Sequence, residues 1–74
     1  MSEESKKITI TTEYIKLDQF LKLAGAFVTG GEAKNAVITG HIVVNDETCL
    51  MRGKKLRNGD IVKVNGIKFL VIHE

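Results

Sequence analysis

The sequence predicts an α+β domain: two short packed helices against a small antiparallel sheet of four to five strands. Three observations carry this expectation. Leu17, Phe20, Leu21, Ala24 and Val28 recur at helical spacing and mark an apolar stripe. A second helical stretch follows Thr29, with Glu32 three residues on, the pattern of a capping box. Asn65-Gly66 separates two apolar-rich runs, the strongest short-range signal for a two-residue hairpin turn. With 74 residues and 43% hydrophobic side chains, the chain has one core and lies near the lower size limit for folding on it.

In chain order, residues 1–7 read as a polar, flexible N-terminal tail, and residues 8–74 as a single domain. Ile8-Thr9-Ile10-Thr11 alternates and is β-branched, a short strand. The first helix is expected from about Leu17 to Phe27, with Asp18, Gln19 and Lys22 on its polar side. A link of a few residues then forces a tight helix–helix corner. The second helix opens at Thr29 and presents Ala33, Ala36 and Val37 as a narrow small-residue face. Ile38 falls outside that stripe, and Gly40 is placed to stop the helix with a positive φ.

From His41 to Asn45 the pattern alternates, with Ile42 and Val44 on one face. Asp46-Glu47 reads as a turn and Thr48-Cys49-Leu50 as a short returning strand. Arg52-Gly53-Lys54-Lys55-Leu56-Arg57-Asn58-Gly59-Asp60 reads as an exposed basic loop anchored by Leu56. Ile61 to Val64 and Ile67 to Ile72 form the hairpin around Asn65-Gly66. The C-terminal strand would leave an open edge, for which the N-terminal strand is the natural partner.

The formal charge of +2 is modest, but the positive excess falls on residues 16–57, which carry seven basic and four acidic side chains. A basic face on a small domain points to a polyanionic partner. The second helix offers a matching feature. Behind an N-cap at Thr29, Gly30 and Gly31 occupy the first helical positions, where N–H groups lack helical partners and the dipole favours an anion. Lys34 follows within the next turn. The plainer reading makes Gly-Gly a tight turn and Lys34 a solvated surface residue.

Other chemistry is poorly supplied. Cys49 with His41 or His73 does not make a catalytic set, and these three residues do not make a zinc site. No cofactor and no small-molecule substrate are expected. The single cysteine fits a reducing compartment, no apolar run is long enough to span a membrane, and the polar start does not resemble a signal peptide, so a cytoplasmic location is expected. Aromatic platforms for single strands look poor: Phe20, Phe27 and Phe69 read as core, leaving Tyr14 alone.

Leu17-Asp18-x-x-Leu21, a tight turn, Glu32-Ala33-Lys34, Gly40-x-Ile42-x-Val44-Asn45 and Asn58-Gly59-Asp60-x-Val62 form an ordered series. In order and spacing it resembles the S-four domain, the RNA-binding domain named after the fourth protein of the small ribosomal subunit. The likeness covers about residues 15–64. It looks closest to the small stand-alone bacterial members of the YaaA/YbcJ type, which share the Gly-Gly-Glu-Ala-Lys stretch. The resemblance implies an αL-type RNA-binding motif, a helix-pair face backed by a small sheet that docks on structured RNA. The family's usual Ser-Arg aligns with Thr29-Gly30, so the cap is kept and the arginine is missing, while its usual basic residue after the alanine is retained as Lys34.

The expected function is therefore non-catalytic binding of structured RNA, ribosomal RNA or a ribosomal particle, by a monomer. The expected contact residues are Lys16, Lys22, Thr29, Gly30, Gly31, Lys34, Asn35, Asn45, Arg52, Lys54, Lys55 and Arg57. The alternative is a protein–protein interaction module that uses the open sheet edge or Ile38.

Overall fold

The computed structural model describes residues 4–74. Seven strands and two helices follow one another: β1 (Glu4–Ile10), β2 (Ile15–Lys16), α1 (Leu17–Leu23), α2 (Gly30–Ile38), β3 (Val43–Val44), β4 (Glu47–Thr48), β5 (Lys55–Leu56), β6 (Ile61–Val64) and β7 (Ile67–His73). Five of the strands form one sheet in the order β1-β7-β6-β3-β4, and β2 pairs with β5 in a separate two-stranded ribbon. The fold is α+β, as the sequence predicts, but the sheet is mixed rather than antiparallel. β1 runs parallel to β7, with Ile8 opposite Val71, while the other pairings are antiparallel. Parallel neighbours need a long crossover, and here everything between β1 and β7 supplies it.

β1 also begins earlier than expected. Residues 4–7, assigned from sequence to the tail, are paired along β7, while residues 1–3 lie outside the described residues. The edge of β7 is thereby covered. The sheet's outer strands are β1, with exposed Lys6 and Lys7, and the two-residue β4.

The core gathers Leu17, Phe20 and Leu21 from α1, Ala33, Ala36 and Val37 from α2, and Ile10, Val44, Val62, Val64, Phe69 and Val71 from the sheet, with Ile42 and Leu56. Phe20 meets Phe69 edge to face, ring centroids 6.4 Å apart at 86°, a geometry that puts a positive ring edge on a negative face. Alanine at 33 and 36 keeps the buried face of α2 slim where it packs on α1.

Both helices end in the same way. Gly25 and Gly40 take φ of +78° and +82°. Gly25 N–H donates to the Lys22 carbonyl and Ala26 N–H to that of Leu21; Gly40 and His41 do the same to Val37 and Ala36. This is the paired Schellman closure, which satisfies carbonyls the helix leaves open. At Gly40 it was legible in advance. At Gly25 it stops α1 at Leu23, four residues short of the expected Phe27, because the apolar stripe continued past the glycine. Val28, read as part of that stripe, is in consequence 85% exposed.

Turns account for the remaining differences. Asn65 and Gly66 have φ of +50° and +81°, the type I′ signature expected there. Asn45 and Asp46 also have positive φ, +50° and +68°, so the β3–β4 turn falls one residue earlier than predicted and β4 is Glu47–Thr48. Lys55–Leu56, expected to be loop, is strand.

Thr29 is the N-cap of α2, its Oγ1 accepting from Glu32 N–H at 3.2 Å. Thr29→Ala is expected to lower stability by about 1 kcal/mol, a fall in Tm of roughly 4–8 °C for a domain of this size. A melt followed by circular dichroism checks this, and an unchanged Tm would show that the contact holds nothing.

Candidate nucleic-acid interface

The basic segment after β4 is not a free loop. Leu17 N–H donates to the Lys54 carbonyl at 2.8 Å, and Asp18 N–H to the Arg52 carbonyl at 3.0 Å. Residues 52–54 thus supply acceptors for the first turn of α1, whose donors have no partner within the helix. The chain then enters β5, where Ile15 pairs with Leu56 and Lys16 with Lys55. Leu56 is completely buried and Ile15 half-buried against the core. Strand alternation therefore turns Tyr14, Lys16, Lys55 and Arg57 to the outer face of the ribbon.

All four of these residues are exposed. Lys55 Nζ lies 4.9 Å from the centroid of the Tyr14 ring and Arg57 Cζ lies 5.7 Å from it, within the range of cation–π attraction. Five of the residues nominated from sequence, Lys16, Arg52, Lys54, Lys55 and Arg57, are brought to the ribbon and the segment bonded to α1. Lys54 is the only half-buried member; the others are exposed. Tyr14 is not among the contact residues that the sequence nominates. Its alternation with Ile15 and Lys16 is a signal for the ribbon, but too short to be read without knowing its partner strand.

A second group sits on α2. Thr29, Gly30 and Gly31 form its start, and Lys34 and Asn35 are exposed on its middle turns. A β-carbon at Gly30 would meet nothing within 4 Å, and one at Gly31 only Thr29 Oγ1 at 4.0 Å. Neither glycine has the positive φ that Gly25 and Gly40 need. The fold has no steric need for glycine here, although glycine weakens a helix relative to alanine by about 0.8–1 kcal/mol in its interior. Asn35 borders a shallow recess with Phe27, Glu32, Thr39 and His41; its own carbonyl accepts from the Thr39 hydroxyl at 2.7 Å. Lys22 belongs to the last turn of α1, where a cation suits the negative end of the helix. Ile38 is 53% exposed.

Asn45 is exposed and lies in the β3–β4 turn. Its Nδ2 donates to Asp60 Oδ1 at 3.2 Å, and its Oδ1 accepts from Ile61 N–H at 3.0 Å. The other Asp60 oxygen accepts from Arg57 N–H at 2.8 Å, and Asn58 Oδ1 accepts from His73 N–H at 2.8 Å. Asn45 and the Asn58-Gly59-Asp60 turn therefore form a polar clasp that joins the β3–β4 turn, the end of the basic segment and β7.

Among the described residues there is no group of three metal-ligating side chains, and no helix is long and apolar enough to cross a membrane. Cys49 is half-buried, its Sγ 3.6 Å from the Met51 carbonyl oxygen.

The sequence model of the S4 domain matches residues 8–72. The chain is also similar to a Bacillus subtilis (strain 168) protein named "Probable ribosome maturation protein RlbA". The two are 48% identical over 59 residues, which cover 80% of this chain and 83% of that protein.

The clasp gives a direct test. Asp60→Ala removes both acceptors and releases Arg57 N–H and Asn45 Nδ2 to solvent. Hydrogen bonds to a charged group are worth about 1.5–3 kcal/mol, so a loss in that range is expected in urea unfolding, read from the shift in midpoint at constant slope.

Proposed function

The chain belongs to the S4 domain family, and from that premise we propose that it binds structured RNA, ribosomal RNA or a ribosomal particle, without catalysing a reaction. The observation that carries this reading is the backbone attachment of the basic segment to α1. It gathers Lys16, Arg52, Lys54, Lys55 and Arg57 on anchored structure instead of leaving them on a free loop. Cations on a fixed frame match the spacing of phosphates at lower entropic cost than cations on a mobile chain. The printed name of the Bacillus protein supports the ribosomal side of the proposal. The protein would act in the cytoplasm, as a monomer, with one domain that β1 extends to residue 4 as the binding unit.

The α2 start is proposed as the second contact. Gly30 and Gly31, which the fold does not require, leave helix amides bare for a phosphate, with Lys34 and Asn35 beside it and Lys22 on α1. Asn45 contributes by holding the clasp rather than by touching RNA. The interaction-module alternative would use the outer edge of β1 or β4, or the exposed Ile38, since β1 covers β7.

Two experiments test this function. In RNA-binding titrations at several salt concentrations, the combined Arg52→Ala, Lys54→Ala and Lys55→Ala variant should bind more weakly. Its slope of log affinity against log salt should flatten by about 2–3 units, since each phosphate contact contributes roughly 0.7–0.9. The control, Lys63→Ala with Lys68→Ala, alters a register pair on β6 and β7 instead and should change binding much less. Equal losses would reduce the face to diffuse attraction. Separately, Gly30→Arg fills open space with the family's usual residue and should tighten binding while steepening the slope by about 0.7–0.9; weaker binding would mean that close approach to the bare amides outweighs charge.

A further inference from the structure

The cationic ribbon contains one residue that charge alone does not explain. Tyr14 is 37% exposed, on the outer face of the ribbon with Lys16, Lys55 and Arg57. It borders a recess of about 480 Å³ lined by Thr12, Glu13, Ile15, Lys16 and Gln19 as well as its own ring. The Thr12 hydroxyl donates to the Tyr14 carbonyl at 2.7 Å and fixes the backbone that carries the ring. Two cations lie against that ring at 4.9 and 5.7 Å, so its position is held from the side chain as well.

We propose that Tyr14 is a stacking platform for one unpaired nucleobase of the bound RNA, received in this recess with the neighbouring phosphates on Lys16, Lys55 and Arg57. The inference rests on the RNA-binding function proposed above and specifies what that surface reads. A base within a duplex is stacked on its neighbours and offers no face to a side chain, so an exposed ring can stack only on a base that has left the helix. The recess is open and large enough for a planar base. Cations beside the ring serve both partners, since they attract phosphate and polarise the aromatic face. Glu13, on the recess wall, would repel phosphate and can accept from a base N–H, which orients the nucleotide with its base inward.

The test uses three RNA hairpins of the same stem: fully paired, with a single-nucleotide bulge, and with an abasic bulge. Affinities are measured by anisotropy at low salt. The wild-type protein and Tyr14→Phe should prefer the bulged hairpin over the other two by about 5- to 150-fold, the range that base–aromatic stacking supplies. Tyr14→Leu should lose that preference with an unchanged melting curve. The wild-type comparison of bulged with abasic RNA stands whether or not that variant folds. Tyr14 is the only tyrosine, and the chain has no tryptophan, so intrinsic fluorescence should be quenched by the bulged hairpin and not by the abasic one. Equal, salt-sensitive affinity of the wild type for all three RNAs would overturn the stacking role and leave RNA binding intact. No affinity for any of them at low salt would overturn both.

Discussion

Two backbone hydrogen bonds, from Leu17 N–H to the Lys54 carbonyl and from Asp18 N–H to the Arg52 carbonyl, hold the basic segment to α1. Each joins a helix donor that has no partner in its own turn to a carbonyl of an otherwise irregular segment. Such bonds contribute about 1 kcal/mol net each, while ordering a residue costs about 1–2 kcal/mol. They therefore do not act alone. The burial of Leu56 and the pairing of β5 with β2 add further anchors within a few residues. The result is a basic segment fixed at both ends: one on α1, the other at Arg57 on the clasp with Asp60.

That clasp changes the meaning of the Asn58-Gly59-Asp60 motif. Read as sequence, it is a turn beside a basic run. In the fold, the Asp60 carboxylate collects donors from Arg57 and Asn45, and Asn58 reaches His73. Asn45 sits at a positive φ that costs most side chains strain. Its amide offsets that cost by bonding on both sides, to Asp60 and to Ile61. The motif's polar side chains thus tie the end of the basic segment to the β3–β4 turn and to β7.

Glycine divides along the same line. Gly25 and Gly40 close helices in a conformation that a β-carbon disfavours, whereas Gly30 and Gly31 are helical and surrounded by open space. The first pair has a structural reason that can be read from the backbone. For the second pair, the backbone supplies none, and exposed amides at a helix start remain as what these two residues contribute.

The sequence by itself determined the features whose causes lie within a few residues. The Thr29 cap, the Gly40 stop, the Asn65-Gly66 turn, the burial of Leu56 and the aromatic core positions Phe20 and Phe69 all follow from local chemistry or periodicity, and the structure bears them out. The end of α1 was also written locally, in Gly25, but an apolar stripe running on to Val28 masked it. Only the tertiary structure decided how distant segments meet. The parallel direction of β1 on β7, whose partnership the sequence did suggest, the β2–β5 ribbon and the seating of Lys55 and Arg57 on Tyr14 each depend on residues far apart in the chain. Strands of two residues carry too little pattern to reveal a partner, and the direction of an edge strand is set by the crossover that leads to it. The charge that marks this chain was legible from the start; its arrangement around one tyrosine arises from packing.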